Sequence, residues 1–270
     1  MDFGLIIVGD EILSGKRADK HLPKVIELLA RRGLSLEWAR YVGDHPDRIT
    51  ADLRDAFASG DIVFCCGGIG ATPDDHTRQC AARALDRPLA LHPRARELIV
   101  ERMRDVAAEQ RVAFDPDRAD NIHRLNMGVF PEGAEIIPNP YNKIPGFSNH
   151  NVFFVPGFPV MAWPMIEWVL DHRLAQLHGS RAKVEKSVIV MGSMEATLTP
   201  LMQEIEARFA GIKVFSLPSV DDPQWGRHIE LGVKGEAPLV DDAFAALVVG
   251  LRDQRVQLGP ELVRSTDPAR

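Results

Sequence analysis

Residues 61–66, DIVFCC, are apolar after the first position and run without a break into Gly67-Gly68-Ile69-Gly70-Ala71-Thr72-Pro73-Asp74-Asp75-His76-Thr77. A short, uninterrupted apolar run of this kind reads as a strand buried on both faces, which is the situation in a parallel sheet covered by helices. FGLIIV at 3–8 has the same character. Between the two runs, Leu22, Val25, Ile26 and Leu29 keep helical spacing and Gly33 falls where a helix C-cap belongs. A strand over 34–42 and a helix over 46–58, with Pro46 in its first turn, complete the interval. The order β-α-β-α-β-loop-α implies right-handed crossovers and an α/β fold, a three-layer, doubly wound and mostly parallel sheet.

Helices are predicted over 75–86 and 92–109, followed by a long irregular loop over 111–151, rich in Pro, Gly and Asn. A strand at 151–159 and a helix carrying Met161, Met165, Ile166, Val169 and Leu170 come next. Beyond a small polar linker at 178–183, the order changes to strand 184–191, helix 195–209, strands 212–217 and 227–234, and helix 239–252. That is a smaller βαββα, α+β domain. The expected division is therefore 1–178 and 184–254, with residues 257–270, which hold two prolines and mixed charge, expected to be disordered.

Composition removes several function classes. The 32 Lys+Arg against 38 Asp+Glu give a formal net charge of -6 and no basic run, which argues against a nucleic-acid or anionic-membrane partner. Residues 180–252 carry 8 Lys+Arg against 10 Asp+Glu, so an RNA-binding reading of the small domain is rejected. Cys65, Cys66 and Cys80 are the only cysteines and have no CxxC spacing, so neither a disulfide framework nor a thiolate zinc site is expected, and a reducing cytoplasm is the expected compartment. No apolar stretch is long enough for a membrane span, and the N-terminal apolar run reads as a core strand.

The glycine loop at 67–72 joins a buried strand to a helix start, where free backbone N–H groups and the positive helix end suit a phosphate. Its spacing is neither GxGxxG nor a P-loop, and a tight turn with Asp74 or Asp75 as a helix N-cap is the alternative. Following each strand to its C-terminal end brings Gly9-Asp10-Glu11, Gly43-Asp44 and Asp74-Asp75 to one sheet edge, the usual ligand crevice. Converging carboxylates beside a phosphate loop call for a divalent cation, and oxygen-only ligands favour Mg²⁺ or Mn²⁺. Taken singly, Asp10 and Asp44 read better as helix caps and solvated loop charges. Asn139–Phe147 and Pro156-Gly157 would lie on the same edge, with Lys143 either meeting a phosphate oxygen or resting on the surface. The nine histidines lack metal-site spacing, there is no GxSxG elbow, and Cys65 and Cys66 read as buried inert thiols.

These residues resemble the molybdopterin-binding (MoaB/MogA-like) domain of molybdenum-cofactor biosynthesis, in the version at the N-terminus of CinA-like proteins, over about residues 3–175. The resemblance rests on Gly9-Asp10-Glu11-Ile12-Leu13-x-Gly15, Val42-Gly43-Asp44, the 67–77 signature with Thr72 and Thr77, and Pro156-Gly157. The glycine loop and Pro223-x-Trp225-Gly226 also resemble the molybdopterin-binding-like region of eukaryotic FAD synthases. The resemblance implies that Gly67, Gly68, Ile69, Gly70 and Thr72 form the phosphate turn, and that Asp44 and Asp75 are the acidic pair acting at an α-phosphorus and holding Mg²⁺, Mn²⁺ or Co²⁺. The leading function it implies is a metal-dependent pyrophosphatase for ADP-ribose or FAD, with the Asp10/Glu11, Asp44 and Asp74/Asp75 carboxylates around the ion; the alternatives are molybdopterin binding or adenylyl transfer to it, and a nucleotide-binding module without turnover. It also implies a homodimer or other homo-oligomer. Ala71 and His21 depart from the family's Pro and Asn, and the deamidase domain of full-length CinA is absent from these 270 residues.

Overall fold

A computed structural model describes residues 2–179 and 184–265, which form two compact units, one from the described residues of 1–29 and 35–176 and the other from those of 30–34 and 177–270. Residues 180–183 of the expected linker and 266–270 of the expected tail lie outside the described residues. The first unit runs β1 (Phe3–Val8), α1 (Asp10–Leu13), α2 (His21–Ala30), β2 (Leu36–Val42), α3 (Pro46–Ser59), β3 (Ile62–Cys66), α4 (Thr77–Leu85), β4 (Leu89–Leu91) and α5 (Pro93–Glu109). It continues through α6 (Ala119–Leu125), β5 (Val129–Pro131), β6 (Glu135–Ile137), β7 (Gly146–Asn149), β8 (Val152–Val155) and α7 (Pro159–His172).

The main sheet has the order β2-β1-β3-β8-β7-β6, with β2, β1, β3 and β8 mutually parallel and β7 opposed to both neighbours. It is the mixed α/β sheet, mostly parallel, that the alternating order implies. Alternate residues of the central strands serve opposite faces: Ile6, Val8, Val63 and Cys65 pack with Ile49, Leu53, Cys80 and Ile99 from α3, α4 and α5. Leu5, Ile7 and Phe64, which point the other way, are also buried, as are Val25 and Leu28 of α2 and Met165 and Val169 of α7. Phe147 stacks on Phe154 at 4.3 Å and on Phe130 at 4.6 Å, joining β7, β8 and β5 in one aromatic column.

Residues 111–151 are not one irregular loop. They contain α6, β5, β6 and β7, strands of three or four residues that are too short to show periodicity. β6 and β7 extend the main sheet, and β5 pairs with β4 in a separate ribbon. The predicted 75–86 helix starts at Thr77, because 67–76 is spent on the loop, and the predicted 151–159 strand ends at Val155.

The second unit holds β9 (Val184–Met191), α8 (Glu195–Arg208), β10 (Lys213–Asp222), β11 (Gly226–Gly235), α9 (Ala237–Asp253) and β12 (Gln257–Ser265). Its antiparallel sheet has the order β10-β11-β9-β12, with Val188, Val190, Leu231 and Val233 meeting Leu198, Leu201, Leu247 and Leu251 of the helices. The expected disorder of 257–270 is corrected over 257–265, which pair with β9 and complete the sheet. Pro260 is tolerated because it sits at a register shift between Leu258 and Glu261 on an edge strand, where no ladder N–H is required. Arg264 is forked onto Glu230 and holds that carboxyl below its ordinary value. No helix among the described residues is long and apolar enough to cross a membrane.

Candidate functional site

Because β1, β2, β3 and β8 are parallel, the segments that follow them emerge at one edge. There they enclose a cavity of about 720 Å³ lined by Gly9, Glu11, Asp44, the whole of Gly67–Thr72, Asp74, Asp75, Asn139, Pro156 and Gly157. The glycine loop can take its path only without side chains at its start. Gly67 has φ +108, and a Cβ there would stand 2.3 Å from the Val8 carbonyl oxygen. Its N–H donates to Val155 O at 3.0 Å, tying the loop to β8.

The rest of the loop is stapled from within. Thr77 is fully buried; its N–H donates to Gly68 O at 2.9 Å and its hydroxyl to Gly67 O at 3.0 Å. Asp75 Oδ2 accepts from the Thr72 N–H at 2.9 Å and from its hydroxyl at 2.5 Å. The N–H groups of Gly68, Ile69, Gly70 and Ala71 have no hydrogen-bond partner among the described residues. Four successive donors without acceptors, on a backbone of mixed handedness, form a concavity for an anion.

Asp10 and Asp44 brace one another. The Asp10 N–H donates to Asp44 Oδ2 at 2.9 Å and the Asp44 N–H to Asp10 Oδ1 at 3.1 Å. Burial pushes the Asp44 carboxyl above the ordinary carboxylate value, the charges of Asp10, Glu11 and Asp74 add to the rise, and the Asp10 N–H opposes it. Ionisation of Asp44 therefore opposes folding. The stability gained from its protonated form is complete below the ordinary carboxylate range and is lost as pH rises through the raised folded value. Asp44→Asn is expected to raise the melting temperature at pH 7 relative to the wild type, with the difference closing on acidification. Thermal melts from pH 4 to 8 test this, and a lower melting temperature at pH 7 would count against it.

Several sequence-singled residues take supporting positions. Lys143 lies away from the cavity lining, paired with Glu101 at 2.6 Å and Asp105 at 2.7 Å on α5. Asn139 lines the cavity but is a loop brace: its Nδ2 donates to Asn142 Oδ1 and Ile144 O, and its Oδ1 accepts from the Tyr141 N–H. His21 is buried and its Nε2 donates to Gly157 O at 3.0 Å, so it holds the Pro156-Gly157 turn rather than lining the cavity. Cys65 and Cys66 are buried thiols whose pKa burial pushes up.

Lys16, Arg17 and Met127 line the cavity without having been singled out from sequence, Met161 was read only as a helix residue, and Asn142 and Phe158 belong to the two loop segments expected at this edge. Arg17 lies over the Phe158 ring, 5.8 Å from its centroid. Lys16-Arg17 directly follow the Gly15 turn and are the first cations after the strand-one loop, the one signal that pointed to them. The charged groups of the lining come from the segments that follow β1, β2 and β3, while Met127, Asn142, Ile144 and Met161 furnish an amide and apolar surface.

No three His, Cys, Asp or Glu among the described residues are grouped so as to hold a metal ion. Asp75, paired with Asp44 by the resemblance, accepts from Thr72, whose side chain also holds the Asp74 carboxyl below its ordinary value, and Asp74 is a neighbour whose charge acts on Asp44. A protein-only cage does not fit. The arrangement matches the weaker requirement of a Mg²⁺-class ion, which takes one or two carboxylates together with ligand phosphates and water.

Residues 4–176 match the family described as a probable molybdopterin binding domain. A CinA-like protein of Anaeromyxobacter sp. (strain K) is 33% identical over 182 residues, which are 66% of this chain and 42% of that protein, so the match spans under half the length of that relative. A protein of Caldivirga maquilingensis is 29% identical over 213 residues, 77% of each chain, and one of Pyrococcus horikoshii is 29% identical over 220 residues, 79% of this chain and 83% of that one. The crystal structure of a CinA protein of unknown function from Thermoplasma acidophilum shares the fold, with a TM-score of 0.53 at 23% identity over 63% of this chain and 98% of that one.

Proposed function

The chain belongs, over residues 4–176, to the family of probable molybdopterin binding domains, and on that premise we propose that its cavity binds molybdopterin or a closely related heterocycle bearing phosphate. The observation that carries the reading is the run of unpartnered N–H groups at Gly68–Ala71, beside Lys16 and Arg17. The phosphate sits on those amides, and the two cations meet its remaining oxygens as charge-assisted donors. The flat ring system extends toward Phe158, Met161 and Ile144, where Asn142 supplies an amide for its polar edge.

A second reading, cleavage of a nucleotide diphosphate such as ADP-ribose or FAD, is supported by the surplus of carboxylates: Glu11, Asp44, Asp74 and Asp75 line the cavity against Lys16 and Arg17. Asp44 and Asp74 would hold a divalent ion, which when bound neutralises phosphate charge and lowers the pKa of a water. Within this chain the Gly68–Ala71 amides orient the α-phosphate, and the Asp10–Asp44 brace keeps one Asp44 oxygen engaged and the other toward the ligand.

Fluorescence titration with molybdopterin, run beside ADP-ribose and FAD hydrolysis assays with Mg²⁺, Mn²⁺ or Co²⁺ and an EDTA control, separates the two. Saturable pterin binding without AMP release is the expected result. AMP release abolished by EDTA, with no pterin binding, would replace the first reading by the second.

A further inference from the structure

A second cavity of about 370 Å³ lies against the same loop, sharing Ala71, Thr72 and Asp75 with the first and lined beyond them by His76, Arg78 and Asn126 among others. Arg78, in the first turn of α4, is 4% exposed, deeper than any other charged side chain in the first unit's described core. Its Nη2 donates to Gly70 O at 2.5 Å, and its Nε–H is buried with no hydrogen-bond partner. No carboxylate among the described residues forms an ion pair with it.

A guanidinium carries five N–H donors and stays charged in proteins. Burying one with a single carbonyl acceptor is expensive, because the lost hydration is not replaced. Asp75 is the carboxylate whose charge acts on Arg78, yet its Oδ2 is committed to Thr72. A helix start alone would not make a site. The charged, buried and under-partnered side chain opening on a polar cavity is the independent feature that does.

We propose that this second cavity is a binding site for a small oxyanion of the phosphate or carboxylate class, received by the Arg78 guanidinium with the exposed Asn126 amide as a further donor. The anion accepts from the part of the guanidinium that faces the cavity and neutralises its charge, while the Nε–H stays enclosed and reports the change. Through the Arg78–Gly70 hydrogen bond, its arrival also stiffens the loop that walls the first cavity. This site stands independently of the ligand proposed for the first cavity.

The test follows the Arg78 Nε–H resonance by NMR in the full chain carrying Lys16→Ala and Arg17→Ala, which removes the cations of the first cavity. Titration with inorganic phosphate, and separately with acetate, is expected to move that resonance saturably, and the tighter of the two identifies the anion class. Asn126→Asp places a carboxylate on the wall of the cavity that Arg78 also lines. It is expected to weaken phosphate about tenfold or more and to raise the melting temperature without added anion. Arg78→Met is expected to abolish the saturable response of neighbouring amides. Should Arg78→Met fail to fold, the Asn126→Asp comparison still decides. Absence of a saturable shift, or an unchanged phosphate titration in Asn126→Asp, overturns the proposal.

Discussion

Gly67→Ala is expected to destabilise the first unit by about 2–5 kcal/mol and to abolish ligand capture. Two costs add. At φ +108 an L side chain is strained, and the new Cβ would sit 2.3 Å from the Val8 carbonyl oxygen, on a residue paired with Val42 in the β1–β2 ladder. Relief requires the loop to swing away from β1, which breaks the Gly67 N–H to Val155 O hydrogen bond and scatters the Gly68–Ala71 amides. Gly15→Ala is the matched control: its φ is +72, but nothing lies within 4 Å of the added Cβ. It should lose about 1–2 kcal/mol from backbone strain alone. Urea unfolding followed by a probe in the first unit, with ligand titration of each variant, measures both effects. Equal losses in the two variants would show that close approach to Val8 is not what makes Gly67 necessary.

Replacing Lys16 and Arg17 together by alanine is expected to weaken binding of a phosphate-bearing ligand about a hundredfold or more, since each removes a charge-assisted hydrogen bond. Both side chains are exposed, so stability should change by no more than about 0.5 kcal/mol. Affinity should also become less sensitive to salt, because two cations no longer contribute to the attraction. Titrations at low and high ionic strength test both statements. Undiminished affinity in the double variant would place the anion elsewhere than on the Gly68–Ala71 amides beside these cations. The paired design matters here: Gly67→Ala damages the cradle through its backbone, whereas the double variant leaves the cradle in place and removes only charge.

Much of this site was readable from residue order. An apolar run such as Ile62–Cys66 has to be buried on both faces, burial on both faces calls for a parallel sheet, and a parallel sheet delivers every strand C-terminus to one edge. Gly9, Asp44, Gly67–Thr72 and Pro156-Gly157 meet at the cavity for that reason, and each was visible as a local pattern of apolar run followed by turn residues. Lys143 was equally visible, yet nothing near it in sequence revealed Glu101 and Asp105, some forty residues earlier, as its partners. The same limit hid the commitment of Asp75 to Thr72, the burial of Arg78 behind Gly70, and the pairing of Gln257–Ser265 with β9.

The division between the two is physical. Periodicity, glycine turns and helix starts are short-range preferences, expressed over a few residues whatever the rest of the chain does, so the α/β order and the glycine loop were set by local sequence. Which strand neighbours which, and which polar group answers which, depends on packing between segments distant along the chain. Placing β8 beside β3 brings Gly157 within 3.4 Å, Cβ position to Cα, of Gly67 and closes the cavity on its fourth side. A surface ion pair is worth only about 0–1 kcal/mol, too little to leave a mark in composition or spacing, so its partner is decided by whichever group the finished fold sets within reach.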